Sequence, residues 1–134
     1  VDKVRRLAER FGVTNMRLVV GDSTEEGTLA GRQFDRVLLD PTCSALGLRP
    51  RLSFAGVSPE YLQRTAAYQR KLLHSAVAAL RPGGTLVYST CTVNPLENEG
   101  NVAWALSAFP ELSLEDTGLP EGLAPPGLAA AGLG

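Results

Sequence analysis

Four residues combine reactive side chains with places where a short apolar run ends. They are Asp22 in "GDS", Asp40 and Cys43 in "LLDPTCS", and Cys91 in "YSTCT". A thiolate is the reactive form of cysteine, and a free thiol ionises near pH ~8.5, so a site that uses one must favour ionisation. Added to carbon 6 of a cytosine, a thiolate pushes electrons toward carbon 5, which can then attack an electrophilic methyl group. A carboxyl group near ring nitrogen 3 or the exocyclic amine holds the base and stabilises charge as the adduct forms. Carbon 5 must lose its proton before the thiol leaves, and a second thiol can assist that release. One acid and two cysteines meet the demand.

Each residue also has a plainer reading. Asp22 suits a turn or a cap, and Asp40 before Pro41 can simply shape a turn. A cysteine taken alone is more often a small buried hydrophobe than a reactive group. The combination is harder to dismiss: two cysteines at two strand ends, one of them three residues after an acid. His74 falls beside Leu73 in a helical pattern and reads as a packed or exposed residue, while Trp104 and Phe109 read as packing of the last helix.

The elements that must position these residues follow from periodicity. "VDKVRRLAERFG" carries Val4, Leu7, Ala8 and Phe11 on one helical face, and Gly12 suits the residue just after a helix. "MRLVV" (16–20) and "DRVLLD" (35–40) read as short buried strands. Ser58 can cap a long helix with Pro59 in its first turn; Leu62, Ala66, Gln69, Leu73, Ala76 or Val77, and Leu80 keep helical spacing until "RPGG" stops it. "TLVYST" (85–90) is a third strand. Asn94, Pro95 and Glu97 then resemble a capped start of a helix running to about Phe109, with the carboxylate near its positive end. This alternation predicts an α/β fold, a parallel sheet with helices on both faces. Ligands of such sheets bind outside the carboxyl ends of the strands, where Asp22, Asp40, Cys43 and Cys91 converge.

Composition narrows the classes. A chain of 134 residues with 44% hydrophobic residues holds at most one domain. A net charge of −1 gives no global nucleic-acid or membrane surface, so any such contact is local. No apolar run is long enough to span a membrane, and no charged-then-apolar leader opens the chain. Two cysteines and one histidine do not make a zinc site by themselves, and the expectation is no metal. Nothing points to secretion, so the thiols are expected free in a reducing intracellular compartment, the cytoplasm favoured over the nucleolus. "GLPEGLAPPGLAAAGLG" has no period and reads as a disordered tail over 116–134.

Taken together, "GD" after the first strand, "LLDPTCSALG", "YQRKLLHSAVAALRPGGTLVYSTCT" and "NPLENEGNVAWAL" resemble the Sun-family (NOL/NOP/Sun, RsmB-like) RNA 5-methylcytosine methyltransferases over most of residues 1–115. The paired strand-end motifs are specific together, whereas "RPGG" with an apolar strand suits many methyltransferases. The resemblance implies a partial Rossmann-like methyltransferase fold dependent on S-adenosylmethionine, with its first strands and C-terminal strands missing. It implies that Cys91 attacks the base and that Cys43 assists product release. It places Asp40 at the junction of cytosine and cofactor, and Asp22 at the cofactor's adenine. "GLRP" and "VAWALSAFPEL" look closest to members that modify the tRNA acceptor end, so the expected partner is RNA, tRNA over rRNA.

Thr42 and Ala45 stand where family members commonly have proline and glycine, though the Asp-to-Cys spacing is intact. The family's glycine-rich loop and ribose acid are expected to precede residue 1, because Asp2 lies closer to Gly12 than the family pattern allows. The chain is therefore read as a truncated catalytic domain (1–115) with a tail. Arg49, Arg51 and Phe54, beside the first cysteine motif, are candidate phosphate and base contacts. Two readings compete: a non-catalytic, decayed α/β domain, and a methyltransferase acting on an exocyclic amine. The latter wants an aromatic at position 43 and has no use for Cys91.

Overall fold

The computed structural model describes residues 1–25, 31–48, 56–118 and 120. In chain order these form α1 (Asp2–Arg10), β1 (Phe34–Leu39), α2 (Pro59–Ala78), β2 (Leu80–Tyr88) and α3 (Glu99–Ala108). The two strands pair in parallel, joined by a crossover through α2. Val37, Leu38 and Leu39 lie opposite Leu86, Val87 and Tyr88. Arg81 and Asp35 form an ion pair near the strands' amino ends.

α2 begins as its sequence dictates. The Ser58 hydroxyl accepts from the Tyr61 N–H, and Pro59, which has no N–H to satisfy, stands in the first turn. Its inner face buries Ala66, Gln69, Leu72, Leu73 and Ala76. Ala79 closes the helix, and its carbonyl accepts from the Phe34 N–H to launch β1. The "RPGG" segment then bulges out of the ladder, where Phe34 and Arg36 align with Leu80 and Thr85. Gly83, at φ +74°, makes that bulge without a Cβ penalty.

Side-chain alternation leaves the sheet covered unevenly. Val37, Leu39, Leu86 and Tyr88 are half-buried on the face toward α2, with Tyr88 hydrogen-bonded to Gln69 of that helix. On the opposite face Leu38 and Val87 are 71% and 51% exposed, so among the described residues helical cover lies on one side. α1 buries no residue, and its Val4 and Leu7 remain exposed.

Three local expectations are corrected. Leu80, expected on the helical stripe before "RPGG", instead opens β2, which runs Leu80–Tyr88 rather than 85–90, because α2 already ends at Ala78. Residues 16–20 form no strand, because no described segment offers them a ladder; Val19 and Val20 are exposed. The last helix starts at Glu99, not near Pro95. Residues 95–98 are a turn in which the Asn94 carbonyl accepts from the N–H groups of Glu97 and Asn98, and Glu97 points inward rather than decorating a helix start. Arg49, Arg51, Phe54 and most of the 116–134 tail lie outside the described residues.

The apolar core is small, so each large member matters. Leu73→Ala removes a side chain only 3% exposed and should cost about 2–5 kcal/mol of stability, read from urea unfolding monitored by circular dichroism.

Candidate functional site

Parallel pairing sets the site. β1 ends at Leu39 and β2 at Tyr88, which are directly in register, so the segments that follow leave the sheet side by side. The Ser89 N–H donates to the Leu39 carbonyl at 3.0 Å and extends the pairing one residue further. Beyond it the chain carries Asp40 and Cys43 on one side and Cys91 on the other. The two sulfurs are 3.1 Å apart, within hydrogen-bonding distance, and both thiols are free. Cys43 is half-buried and Cys91 exposed. The Ser89 hydroxyl donates to Asp40 Oδ1 at 3.1 Å, which orients that exposed carboxylate at the same rim.

The structure thus brings together three of the four candidate residues. Asp22 is held in its own exposed turn, where the backbone N–H and hydroxyl of Thr24 both donate to Oδ1, at 2.9 and 2.7 Å. Those bonds, the hydroxyl's above all, hold its carboxyl below the usual carboxylate value, and the Lys71 charge adds a little. This is the turn role that its "GDS" setting also allowed.

Electrostatics at the thiols run against easy ionisation. The hydrogen bond with the Cys43 sulfur is the main cause that pushes the Cys91 thiol above its ordinary value; burial and the nearby Cys43 and Asp40 charges add to it. Among the described residues, the groups around Cys91 therefore favour the thiol over the thiolate.

The loop that carries Cys43 is tied down on several sides. The Gly47 N–H donates to the Cys91 carbonyl at 3.0 Å, and a Cβ at Gly47 would meet that oxygen at 2.9 Å, so only glycine allows the approach. The hydroxyls of Ser44 and Thr92, the residues just after the two cysteines, share a 2.7 Å hydrogen bond. Ala45 is the one non-glycine residue at positive φ among those described, at +56°. That is one of the two positions where the sequence departs from the Sun-family pattern, and its backbone adopts the conformation that glycine tolerates best.

Behind the loop lies a polar core that periodicity did not single out as functional. Gln69, Glu97 and Asn101 are each fully buried. Glu97 Oε2 accepts from the Ser44 N–H and from Gln69 Nε2, both at 2.9 Å, and Oε1 accepts from Asn94 Nδ2 at 2.9 Å. Gln69 Nε2 also donates to the Thr42 carbonyl at 3.0 Å. Its Oε1 accepts from Asn101 Nδ2 at 2.8 Å and from the Tyr88 hydroxyl at 3.0 Å. The Tyr88 hydroxyl has one hydrogen to share between Gln69 Oε1 and the nearer Glu97 carbonyl at 2.7 Å, and burial holds its ionisation above the ordinary value. The available signal was Gln69 itself, a polar residue on the apolar stripe of α2. Among the described residues no group of three or more His, Cys, Asp and Glu side chains is arranged to hold a metal ion. None of the described helices is long and apolar enough to cross a membrane.

A family model described as 16S rRNA methyltransferase RsmB/F matches residues 1–126. The mouse (Mus musculus) tRNA (cytosine(72)-C(5))-methyltransferase NSUN6 is 40% identical over 130 residues, covering 86% of this chain and 26% of that protein. The rRNA (cytosine-C(5))-methyltransferase NOP2C of Arabidopsis thaliana is 60% identical over 82 residues, covering 60% of this chain and 14% of that protein. The crystal structure of NSun6 from Pyrococcus horikoshii with SFG matches with a TM-score of 0.74 and 41% identity, over 80% of this chain and 27% of that one. The chain thus spans about a quarter, or less, of the length of these relatives.

Two outcomes follow from the geometry. Ala45→Gly should raise stability by about 0.5 kcal/mol, because releasing ~1–2 kcal/mol of left-handed strain outweighs the ~0.5–1 kcal/mol entropic cost of a glycine; urea unfolding reads the difference. Iodoacetamide labelling of Cys91, followed by mass spectrometry against pH, should show a midpoint above the ordinary thiol range. Because the Cys43 sulfur is the main cause, Cys43→Ala should move that midpoint down.

Proposed function

The chain belongs to the 16S rRNA methyltransferase RsmB/F family, and we propose that it is the catalytic segment of a longer RNA cytosine-5 methyltransferase working through a cysteine adduct. The observation that carries this reading is the pair of thiols 3.1 Å apart, beside an oriented carboxylate, at the carboxyl ends of two parallel strands. A decayed domain has no need of two thiols in register. An amine-methylating enzyme has none of Cys91.

In this mechanism Cys91 gives up its proton to solvent water and its sulfur adds to carbon 6 of cytosine. The electron pair of the 5,6 double bond moves to carbon 5, which takes the methyl group. S-adenosylmethionine, when bound, would supply that methyl as an electrophile and leave as the demethylated thioether; the solved relative carries SFG, an analogue of it. The fit to this chain is partial but chemically apt. Asp40 presents an exposed carboxylate beside the thiols, held by Ser89, where it can accept from the amine of the base or the cofactor. Asp22 presents another in its own turn, suited to the amine of an adenine. Cys43, directly or through water, then receives the proton from carbon 5. The electrons of that C–H bond re-form the double bond, and the bond from Cys91 to carbon 6 breaks. A cytosine within a helix must first be extruded, at a cost of roughly a few kcal/mol.

Between RNA classes the reading favours tRNA over rRNA. What supports it is slight: relatives named for tRNA are similar over 86% and 78% of the chain, and relatives named for rRNA over 76% and 60%. Transcribed tRNA and rRNA offered in parallel decide this, the preferred class giving the higher kcat/KM.

The covalent step is tested in the intact protein with RNA and S-adenosylmethionine. Cys91→Ala should lower methyl transfer by at least about 10³-fold. Cys43→Ala should accumulate a denaturant-resistant protein–RNA adduct that disappears when Cys91 is also replaced. Folded, cofactor-binding Cys43→Ala protein that gives no adduct overturns these roles.

A further inference from the structure

Cys43 lies on an irregular loop, yet its sulfur is placed against Cys91 to within hydrogen-bonding distance. Two buried side chains hold the peptide groups on either side of it. Gln69 Nε2 donates one hydrogen to the carbonyl of Thr42, the residue before Cys43, and its other to Glu97 Oε2. The same Glu97 oxygen accepts from the N–H of Ser44, the residue after Cys43. Both side chains are 0% exposed. Both come from outside the loop: Gln69 from the middle of α2 and Glu97 from the turn before α3.

We infer that Gln69 and Glu97 are positioning residues for the release thiol: together they grip both peptides flanking Cys43 and set its sulfur against Cys91. This rests on the reading of Cys43 as the thiol that assists release, but the positioning can be read without it. Glu97 is acceptor-only when ionised, and Gln69 is the donor that joins it to the loop. Replacing Gln69 by glutamate keeps the shape and the oxygen that serves Tyr88 and Asn101, while removing the amide that serves Thr42 and Glu97. Glu97→Gln is the conservative partner. One side-chain oxygen still accepts from Ser44 and Gln69, and the new amide can be met by a flipped Asn94 at the loss of the long Leu96 N–H contact with Asn94 Oδ1.

The test measures thiol alignment directly. Diamide oxidises two adjacent thiols to a disulfide, taking up the two electrons and two protons released as the S–S bond forms. In the intact protein, peptide mass spectrometry follows closure of the Cys43–Cys91 bond. Gln69→Glu should slow closure by about tenfold or more, since a displacement near 1 Å is enough to disrupt close-range reactions. Glu97→Gln should stay within about threefold of wild type, by the same measure of preserved geometry. Leu73→Ala, which makes none of these hydrogen bonds, is the control: it loses stability but should close at the wild-type rate. If Gln69→Glu does not fold, Gln69→Met makes the same comparison without a buried charge. A folded Gln69 variant that closes as fast as wild type overturns the inference, as does a closure rate that simply tracks stability across all variants.

With RNA and S-adenosylmethionine, the same Gln69 variant should accumulate the Cys91-linked adduct, as Cys43→Ala does. Adduct from Cys43→Ala but none from a Gln69 variant also overturns the positioning. No adduct from Cys43→Ala overturns the proposed function instead, and the diamide comparison still decides the positioning.

Discussion

A buried carboxyl group is expensive unless its oxygens are hydrogen-bonded, and Glu97 is fully buried. Desolvation of an ion costs several kcal/mol even after relaxation, so the surroundings must supply strong donors at fixed places. Here they come from three parts of the chain: the Ser44 backbone, the Gln69 amide and the Asn94 amide. Each donor must stay in position to keep the carboxylate satisfied, so the cysteine loop, α2 and the turn before α3 are fixed relative to one another. The largest fully buried side chains among the described residues are Gln69, Glu97 and Asn101, not aliphatic or aromatic ones. All buried side-chain nitrogens and oxygens described have partners. A network satisfied to that degree specifies one arrangement, whereas a small apolar core of Ala66, Leu72, Leu73, Ala76, Ala79 and Ala105 tolerates several.

Holding the thiols and activating them are separate tasks, and the structure performs the first. Closeness of the sulfurs is what raises Cys91, because the proton is favoured where it bridges the pair and a second negative charge beside Asp40 is disfavoured. The arrangement that holds Cys43 against Cys91 therefore also disfavours ionisation of Cys91. A thiol that stays protonated at rest is also less exposed to alkylation and oxidation. In the proposed reaction a positive charge near the thiols, or separation of the sulfurs as the base enters, has to lower the cost of ionisation.

How much of this could be read from the sequence depended on whether the information was local. Ser58 with Pro59 announced the start of α2, and the alternation of apolar runs with helices announced parallel strands with Asp40, Cys43 and Cys91 at one rim, though Asp22 was expected there too. The segment at 16–20 has the composition of a strand, but strandedness is a property of a pair, and no described neighbour pairs with it. Glu97 misled for a related reason. Its place after Asn94 and Pro95 suits a helix start, and two of its three donors, Ser44 and Gln69, are distant in sequence. Gln69 was visible as a polar residue on an apolar stripe. What it held was not, because its partners at Thr42 and Glu97 are separated from it by 27 and 28 residues.

Ala45 shows how these constraints compete within one loop. Chain direction must reverse between Cys43 and the Gly47 contact with Cys91, and the backbone does so by passing through the left-handed region at Ala45. A non-glycine residue there costs on the order of 1–2 kcal/mol. The hydrogen bonds on either side bear that cost: Glu97 to the Ser44 N–H before it, and the Ala45 carbonyl accepting from the Leu48 N–H after it. Strain of this kind persists only where the surroundings over-determine the backbone. Its presence two residues from Cys43 means that the loop's shape is imposed from the buried network rather than chosen by the loop's own residues. The position of the thiol is thus a property of α2 and of the turn before α3, and changes there are transmitted to it without touching either cysteine.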